Sequence, residues 1–146
     1  MFAVLPALKS TNVFPLKVKG SEEVKWVLVQ SLNPGGANGG SGTQYFIGDF
    51  DGTNFTLDKA FSQKLEKDKA VWLDFGRDNY AGVTWGGAPG EESKRYLIGW
   101  MTNWDYANVV PTQTWRGANS RRGHDAGAAA SSTAMPTCAT ACSISC

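Results

Sequence analysis

The chain has no cysteine before Cys138 and one histidine in all, His124. The first absence excludes a disulfide anywhere in the body of the chain. The second removes the base that a nucleophilic serine or cysteine would need, and the usual ligands of a zinc hydrolase. A formal net charge of +1 gives no basic stripe for nucleic acid. No apolar run is long enough to span a bilayer, so no membrane partner is expected. The opening MFAVLPALKS has no basic region ahead of its short apolar run, so no signal peptide is read there. No cofactor or metal motif is present, and none is expected.

What the chain does have is aromatic and unevenly placed. Its six Trp, four Tyr and seven Phe all lie between Phe2 and Trp115, and it has 17 Gly. That mixture favours a β-rich, turn-rich domain. From Asn119 onward the only larger apolar side chains are Met135 and Ile144. Setting Arg121, Arg122 and Asp125 aside from 14 basic and 13 acidic residues leaves twelve of each in the body. The tail has too little to bury to offset its own ordering entropy, so residues 119–146 are expected to be disordered or irregular. Cys138, Cys142 and Cys146 would share one face of a helix, but the spacing fits no common zinc site. They are read as a coincidence of low complexity.

Strand patterns run through the body. Residues 14–18 predict a short strand. Residues 24–32, VKWVLVQSL, predict the strongest one, with apolar side chains on both alternating faces. NPGGANGGSG, residues 33–42, lacks the Lys-Ser/Thr of a phosphate loop and is read as a flexible hairpin connection. Residues 43–50 and 54–57 flank the turn signal Asp51-Gly52. Asp49 and Asp51 could open a calcium loop, but the remaining ligands are missing. Residues 59–69 are a charged connection with one or two helical turns. Residues 71–75, 80–85 and 95–101 complete the set, and short strands apolar on both faces imply stacked sheets, a sandwich or propeller blades.

Polar chemistry gathers in VWLDFGRDNYAGVTW, residues 71–85, and in the turn holding Asn103, Trp104 and Asp105. Asp74, Arg77 and Asp78 stand between two strand patterns, where loops present polar groups to ligands. Carboxylates beside exposed tryptophans suit carbohydrate, since ring faces pack on sugar C–H surfaces while carboxylates and amides bind hydroxyls. An ordinary β-rich surface with solvated turns is the plainer alternative.

KWVLVQSLNPGG, GSGTQYFIGDFDGTNFT, WLDFGRDNYAGVTW and LIGWMTNWDYANVVPTQTWRGA, in that order and spacing, resemble glycoside hydrolase family 32. Its members are β-fructofuranosidases: invertases, inulinases, levanases and fructan exohydrolases. The resemblance implies an all-β chain, about two blades of a five-bladed β-propeller. Residues 1–13 are then a diverged N-terminal segment, 14–118 the partial propeller and 119–146 the tail. It also implies sucrose or a fructan as partner, cleaved with retention by a carboxylate nucleophile and a carboxylic acid/base. Many members of the family are secreted, and the localisation of this chain's parent is left open.

The family's three catalytic carboxylates have no counterpart. No NDPNG and no RDP motif occurs in the 146 residues. Where the WECPDLF-like motif should stand the chain reads LKSTNVF, so Lys9 occupies the acid/base glutamate position. A protonated lysine supplies neither the carboxylate's charge nor its proton transfers. No catalytic residue is therefore assigned. Loss of the pattern at both ends suggests a truncated or frame-shifted coding sequence. The resemblance carries over as substrate-binding residues Asp74 and Arg77, from a D-x-G-K/R segment, with Tyr80 on an inner strand and Trp104 at the pocket rim. Trp26, Trp72 and Trp85 are expected to pack between sheets. The chain alone is expected to be inactive; the alternatives are a non-catalytic fructan-binding module and a remnant without function.

Overall fold

The computed structural model describes residues 10–18, 21–86, 95–119 and 122–124. Lys9, the opening apolar run and Cys138, Cys142 and Cys146 lie outside the described residues. Four strands form the first sheet, in the order β1 (Ser10–Lys17), β2 (Val24–Leu32), β3 (Gly42–Phe50) and β4 (Phe55–Leu57). After helix α1 (Lys59–Asp68), a second sheet is built from β5 (Tyr80–Gly86), β6 (Arg95–Trp100) and β7 (Arg122–His124). Every pairing is antiparallel between strands consecutive in sequence. β7 lies beyond residue 118, inside the stretch read from composition as tail.

The core is the seam between the sheets. Phe14, Val27 and Ile47 are register partners and so share one face of the first sheet. Phe14 and Val27 form a buried cluster with Leu16, Val29 and Leu73, against which Ile47 and, from β6, Leu97 pack. Each such side chain contributes about 1.5–3 kcal/mol by leaving water. Polar contacts fix the seam's alignment. Asn12 donates to the Gly82 carbonyl at 3.1 Å, and the Arg95 guanidinium lies 4.4 Å over the Phe14 ring. On β2, Val27 and Val29 are fully buried while the Trp26 and Leu28 face is half-buried.

Trp26 therefore does not pack between the sheets as expected: it lies on the far face, edge-on to Phe50 at 5.2 Å. Trp85 also departs from expectation. It alternates with inward-facing Thr84, is 50% exposed, and stacks on Tyr96 on the outer face of the second sheet. Trp72 lies against Gly42, where an added Cβ would come within 2.9 Å of its ring.

Residues 71–75 do not form the strand expected of them. One end of β3's outer edge is paired with β4, leaving only its beginning free. There the chain makes one bridge, Gln44 to Trp72, with Leu73 N–H donating to the Thr43 carbonyl at 2.8 Å. The Asp51-Gly52 turn is as predicted: Asp51 accepts from the N–H groups of Thr53 and Asn54, and Gly52 has φ +97.

Helix α1 is longer than the one or two turns expected. Asp58 caps it, accepting from Ala60 N–H at 2.9 Å and Phe61 N–H at 3.2 Å. Lys69, in the left-handed region at φ 65, closes it by donating to the Leu65 carbonyl. Its one buried residue, Phe61, meets the rings of Tyr45 and Phe46. The Lys25 ammonium also reaches Asp58, at 3.1 Å, and tethers the cap to β2.

The hydrogen bond from Lys25, then those from the Phe61 and Ala60 N–H groups, hold the Asp58 carboxyl below the usual carboxylate range. A carboxyl depressed on folding stabilises above its unfolded pKa, about 3.9, and loses that contribution as pH falls through the folded value. Asp58→Ala should lower stability at pH 7 by about 1 kcal/mol, the cost of a lost N-cap. Denaturant melts should show the difference from the unsubstituted chain shrinking below about pH 4.

Candidate functional site: three loops joined at Asn103

Loops from both sheets converge at one end of the seam. The first, residues 74–79, leaves the bridge segment and enters β5. Asp74 makes a turn of it, one oxygen accepting from Gly76 N–H at 2.8 Å and the other from the Asn79 side chain at 2.5 Å. Asn79 takes φ 79, donates its N–H to the Trp100 carbonyl, and accepts at its own carbonyl from Thr43. Its side-chain oxygen lies where a Cβ at residue 99 would come within 2.1 Å, so Gly99 leaves room for it. A register shift between Tyr80 and Val83 accompanies this entry, with Ala81 at φ 51.

The second loop, residues 101–107, follows β6. Asn103, with no solvent exposure, accepts at its backbone carbonyl from Tyr106 and Ala107 N–H. Its side chain accepts from Ser41 N–H at 3.2 Å and Asp105 N–H at 2.9 Å. It donates to the carbonyls of Gly39 at 3.2 Å, Ser41 at 3.4 Å and Arg77 at 2.6 Å. The third loop, residues 33–41, is the glycine-rich one. Read from sequence as a flexible connection, it is packed here. Gly40 sits at φ +60, and a Cβ on it would lie 2.0 Å from the Asn103 oxygen. Asn38 adds a bond from this loop to the Phe75 carbonyl.

The exposed side of this junction carries the charged and aromatic groups. Arg77 pairs with Asp105 at 3.0 Å, both partly exposed, and its guanidinium stands 5.7 Å from the Tyr106 ring centre. Tyr106 donates its hydroxyl to Asp78. Trp104 is 47% exposed and tilts against Trp100 at 5.0 Å, while Trp100 tilts against Tyr80 at 6.4 Å. Of the residues singled out from sequence, Asp74 and Arg77 lie on the first loop and Trp104 on the second, the two loops being joined by the Asn103–Arg77 bond and the Arg77–Asp105 pair. Tyr80 does not reach the exposed side: it is buried beneath Trp100, and burial raises its phenol's pKa. Among the described residues no group of three His, Cys, Asp or Glu could hold a metal ion.

Asn103 and Asp105 were among the polar groups weighed from sequence, but nothing there marks Asn103 as the junction. Its partners Gly39 and Ser41 are more than sixty residues away. Tyr106 gave no signal beyond its aromatic character.

The arrangement is an all-β scaffold of consecutive antiparallel meanders with a polar, aromatic-flanked surface on its loops. Residues 8–122 match the Glycosyl hydrolases family 32 N-terminal domain, and the chain belongs to that family. It is 46% identical over 110 residues to the levanase of Bacillus subtilis, an alignment covering 75% of this chain and 15% of the levanase. Among solved structures, it superposes on the Schwanniomyces occidentalis fructofuranosidase complexed with fructosylnystose with a TM-score of 0.65 at 33% identity, covering 78% of this chain and 20% of that one. With the exo-inulinase of Aspergillus awamori the TM-score is 0.65 at 37% identity, covering 77% and 22%. The chain thus spans about a fifth or less of the relatives it matches. Its sheets are those of the family's β-propeller.

The hydrogen bond to Asp78, and secondarily burial, raises the Tyr106 phenol above its ordinary pKa of 10.0. A group raised on folding stabilises below its unfolded pKa and loses that contribution as pH rises through the folded one. Stability should therefore fall above about pH 10. Tyr106→Phe should flatten part of that alkaline fall, leaving the part due to Tyr80; urea melts between pH 8 and 11 would show it.

Proposed function

We propose that this chain carries the sugar-recognition surface of a β-fructofuranosidase and holds a fructosyl unit of sucrose or a fructan without cleaving it. The observation that carries this reading is the surface where the half-exposed Trp104 ring stands beside the Arg77–Asp105 pair, with Asp74 in the adjoining turn. The ring offers an apolar face for sugar C–H groups. The Arg77 guanidinium uses one nitrogen on Asp105, leaving others to donate to hydroxyls. Each Asp74 oxygen accepts one bond within the turn and has capacity for another. Tyr80 acts from behind, as the support on which Trp100 and then Trp104 rest. A relative of solved structure is complexed with fructosylnystose, a fructosyl oligosaccharide, which supports the ligand class.

Hydrolysis is a separate matter. Retaining cleavage needs two carboxyl groups flanking the scissile bond. The NDPNG, RDP and WECP-type segments that bear them in the family are not in this sequence, and Lys9 stands at the acid/base position. Enzymes lower barriers by roughly 8–23 kcal/mol, and positioned carboxylates supply much of that in a glycosidase. The purified chain should release no fructose from sucrose, inulin or levan; turnover at ordinary enzyme rates after removal of contaminating activity would refute this. Calorimetric titration with an inulin-type tetrasaccharide should show weak binding. Trp104→Ala should weaken it at least about tenfold, as loss of a central aromatic contact does. A flat titration of the unsubstituted, folded chain would remove the reading.

A further inference from the structure

Trp104 is held from both sides by groups that answer to one buried amide. Its own N–H donates to the Ser41 hydroxyl at 3.1 Å. Ser41 in turn is fixed at its N–H and carbonyl by the Asn103 side chain, at 3.2 and 3.4 Å. The residue after Trp104, Asp105, donates its N–H to the same Asn103 oxygen at 2.9 Å. With its backbone pinned before and after, the Trp104 ring settles on Trp100 at 5.0 Å.

Arg77 is tied to that amide as well. Its carbonyl accepts the shortest of the Asn103 bonds, at 2.6 Å, from a loop that otherwise belongs to the other strand connection. The Arg77 guanidinium then meets Asp105, whose N–H is held by Asn103 too. Both ends of the exposed ion pair are thus set by a side chain that solvent does not reach. Such an exposed pair has little intrinsic strength to align itself. Gly40 completes the arrangement: only a residue without a Cβ lets the third loop close onto the Asn103 oxygen.

We infer that Asn103 is the positioning residue of this site: its buried amide sets the pose of the Trp104 ring and the reach of Arg77, and through them the affinity for a fructosyl unit. The affinity part rests on the reading of the site proposed above; the positioning part does not. Asn103 touches no ligand itself. Its donor half holds the Gly39, Ser41 and Arg77 carbonyls, its acceptor half the Ser41 and Asp105 N–H groups, and the halves can be separated chemically. Asn103→Asp keeps size and the acceptor half, and turns the donor half into repulsion between a carboxylate and carbonyl oxygens.

The experiment uses the full chain and two readouts, each taken at a temperature where circular dichroism shows it folded. The first is the coupled-ring circular dichroism of the Trp100–Trp104 pair with acrylamide quenching of its fluorescence, assigned by what Trp104→Ala removes. The second is calorimetric titration with an inulin-type tetrasaccharide. For Asn103→Asp we expect the coupled signal to fall, quenching to rise and binding to weaken about tenfold, as for unpaired buried polar groups. Gly40→Ala, which pushes on the same oxygen from the facing loop, should move both readouts in the same direction and serves if Asn103→Asp does not fold. A folded variant with an unchanged ring signal and binding within about twofold of the parent would overturn the inference. So would failure of both variants to fold, since Asn103 would then be structural only. If the unsubstituted chain binds no tetrasaccharide, the fructosyl reading fails, and the ring signal still decides whether Asn103 positions Trp104.

Discussion

The apolar seam of Phe14, Leu16, Val27, Val29 and Leu73, closed by Leu97, is the constraint on which the rest depends. It is the only place among the described residues where the two sheets bury a continuous apolar surface, and it fixes where their loop ends come to lie. Once β3 and β5 are set side by side, Thr43 can reach the Asn79 carbonyl and Asn79 can reach Trp100. The loops at that end have no ladder of their own, so their backbone groups must be satisfied by something else. Asn103 does this for three of them at once. The order of dependence is therefore seam first, loop alignment second, exposed chemistry last.

The exposed chemistry is electrostatically modest. Its ion pair, Arg77 with Asp105, is half open to water, and each such pair contributes at most about 1 kcal/mol. Its aromatic part is better anchored, because Trp104 rests on Trp100 and Trp100 on buried Tyr80. If it binds sugar as proposed, a site built in this way would discriminate by shape, with ring faces held in place and polar groups meeting hydroxyls. Under the proposed reading, that division of labour would suit a neutral sugar, which offers no charge to attract.

Local patterns were legible in the sequence where the physics is local. The β2 strand, the Asp51-Gly52 turn and the β5 and β6 strands followed from alternation and turn chemistry. Asp74, Arg77 and Trp104 stand out in the sequence as polar and aromatic groups in turns, while their assignment to sugar binding comes only from the family resemblance. What could not be read depends on distant contacts. Residues 71–75 look like a strand, yet β4 already occupies the far part of the edge they would pair with. The length of α1 comes from Asp58 and Lys69 at its ends, more than from apolar periodicity, which rests on Phe61 alone among buried positions. Trp26 and Trp85 carry the same side chain as any core tryptophan, and only the register reveals that both face away from the seam. Asn103 reads as one more polar residue in a turn until the glycine-rich loop is brought against it.

The outward faces of Val83, Trp85 and Ile98 bear on how β5 finds its place. In most half-buried strands a slip of one residue is forbidden because it would carry apolar side chains into water and polar ones inward. Here a slip would turn Val83 and Trp85 inward and Gly82 and Thr84 outward, so hydrophobicity alone does not oppose it. The selection falls instead to shape at the strand's first residues: the irregularity between Tyr80 and Val83, and the fit of Asn79 over Gly99. A backbone irregularity and one glycine contact thus hold in phase a strand that its own large exposed side chains would let drift.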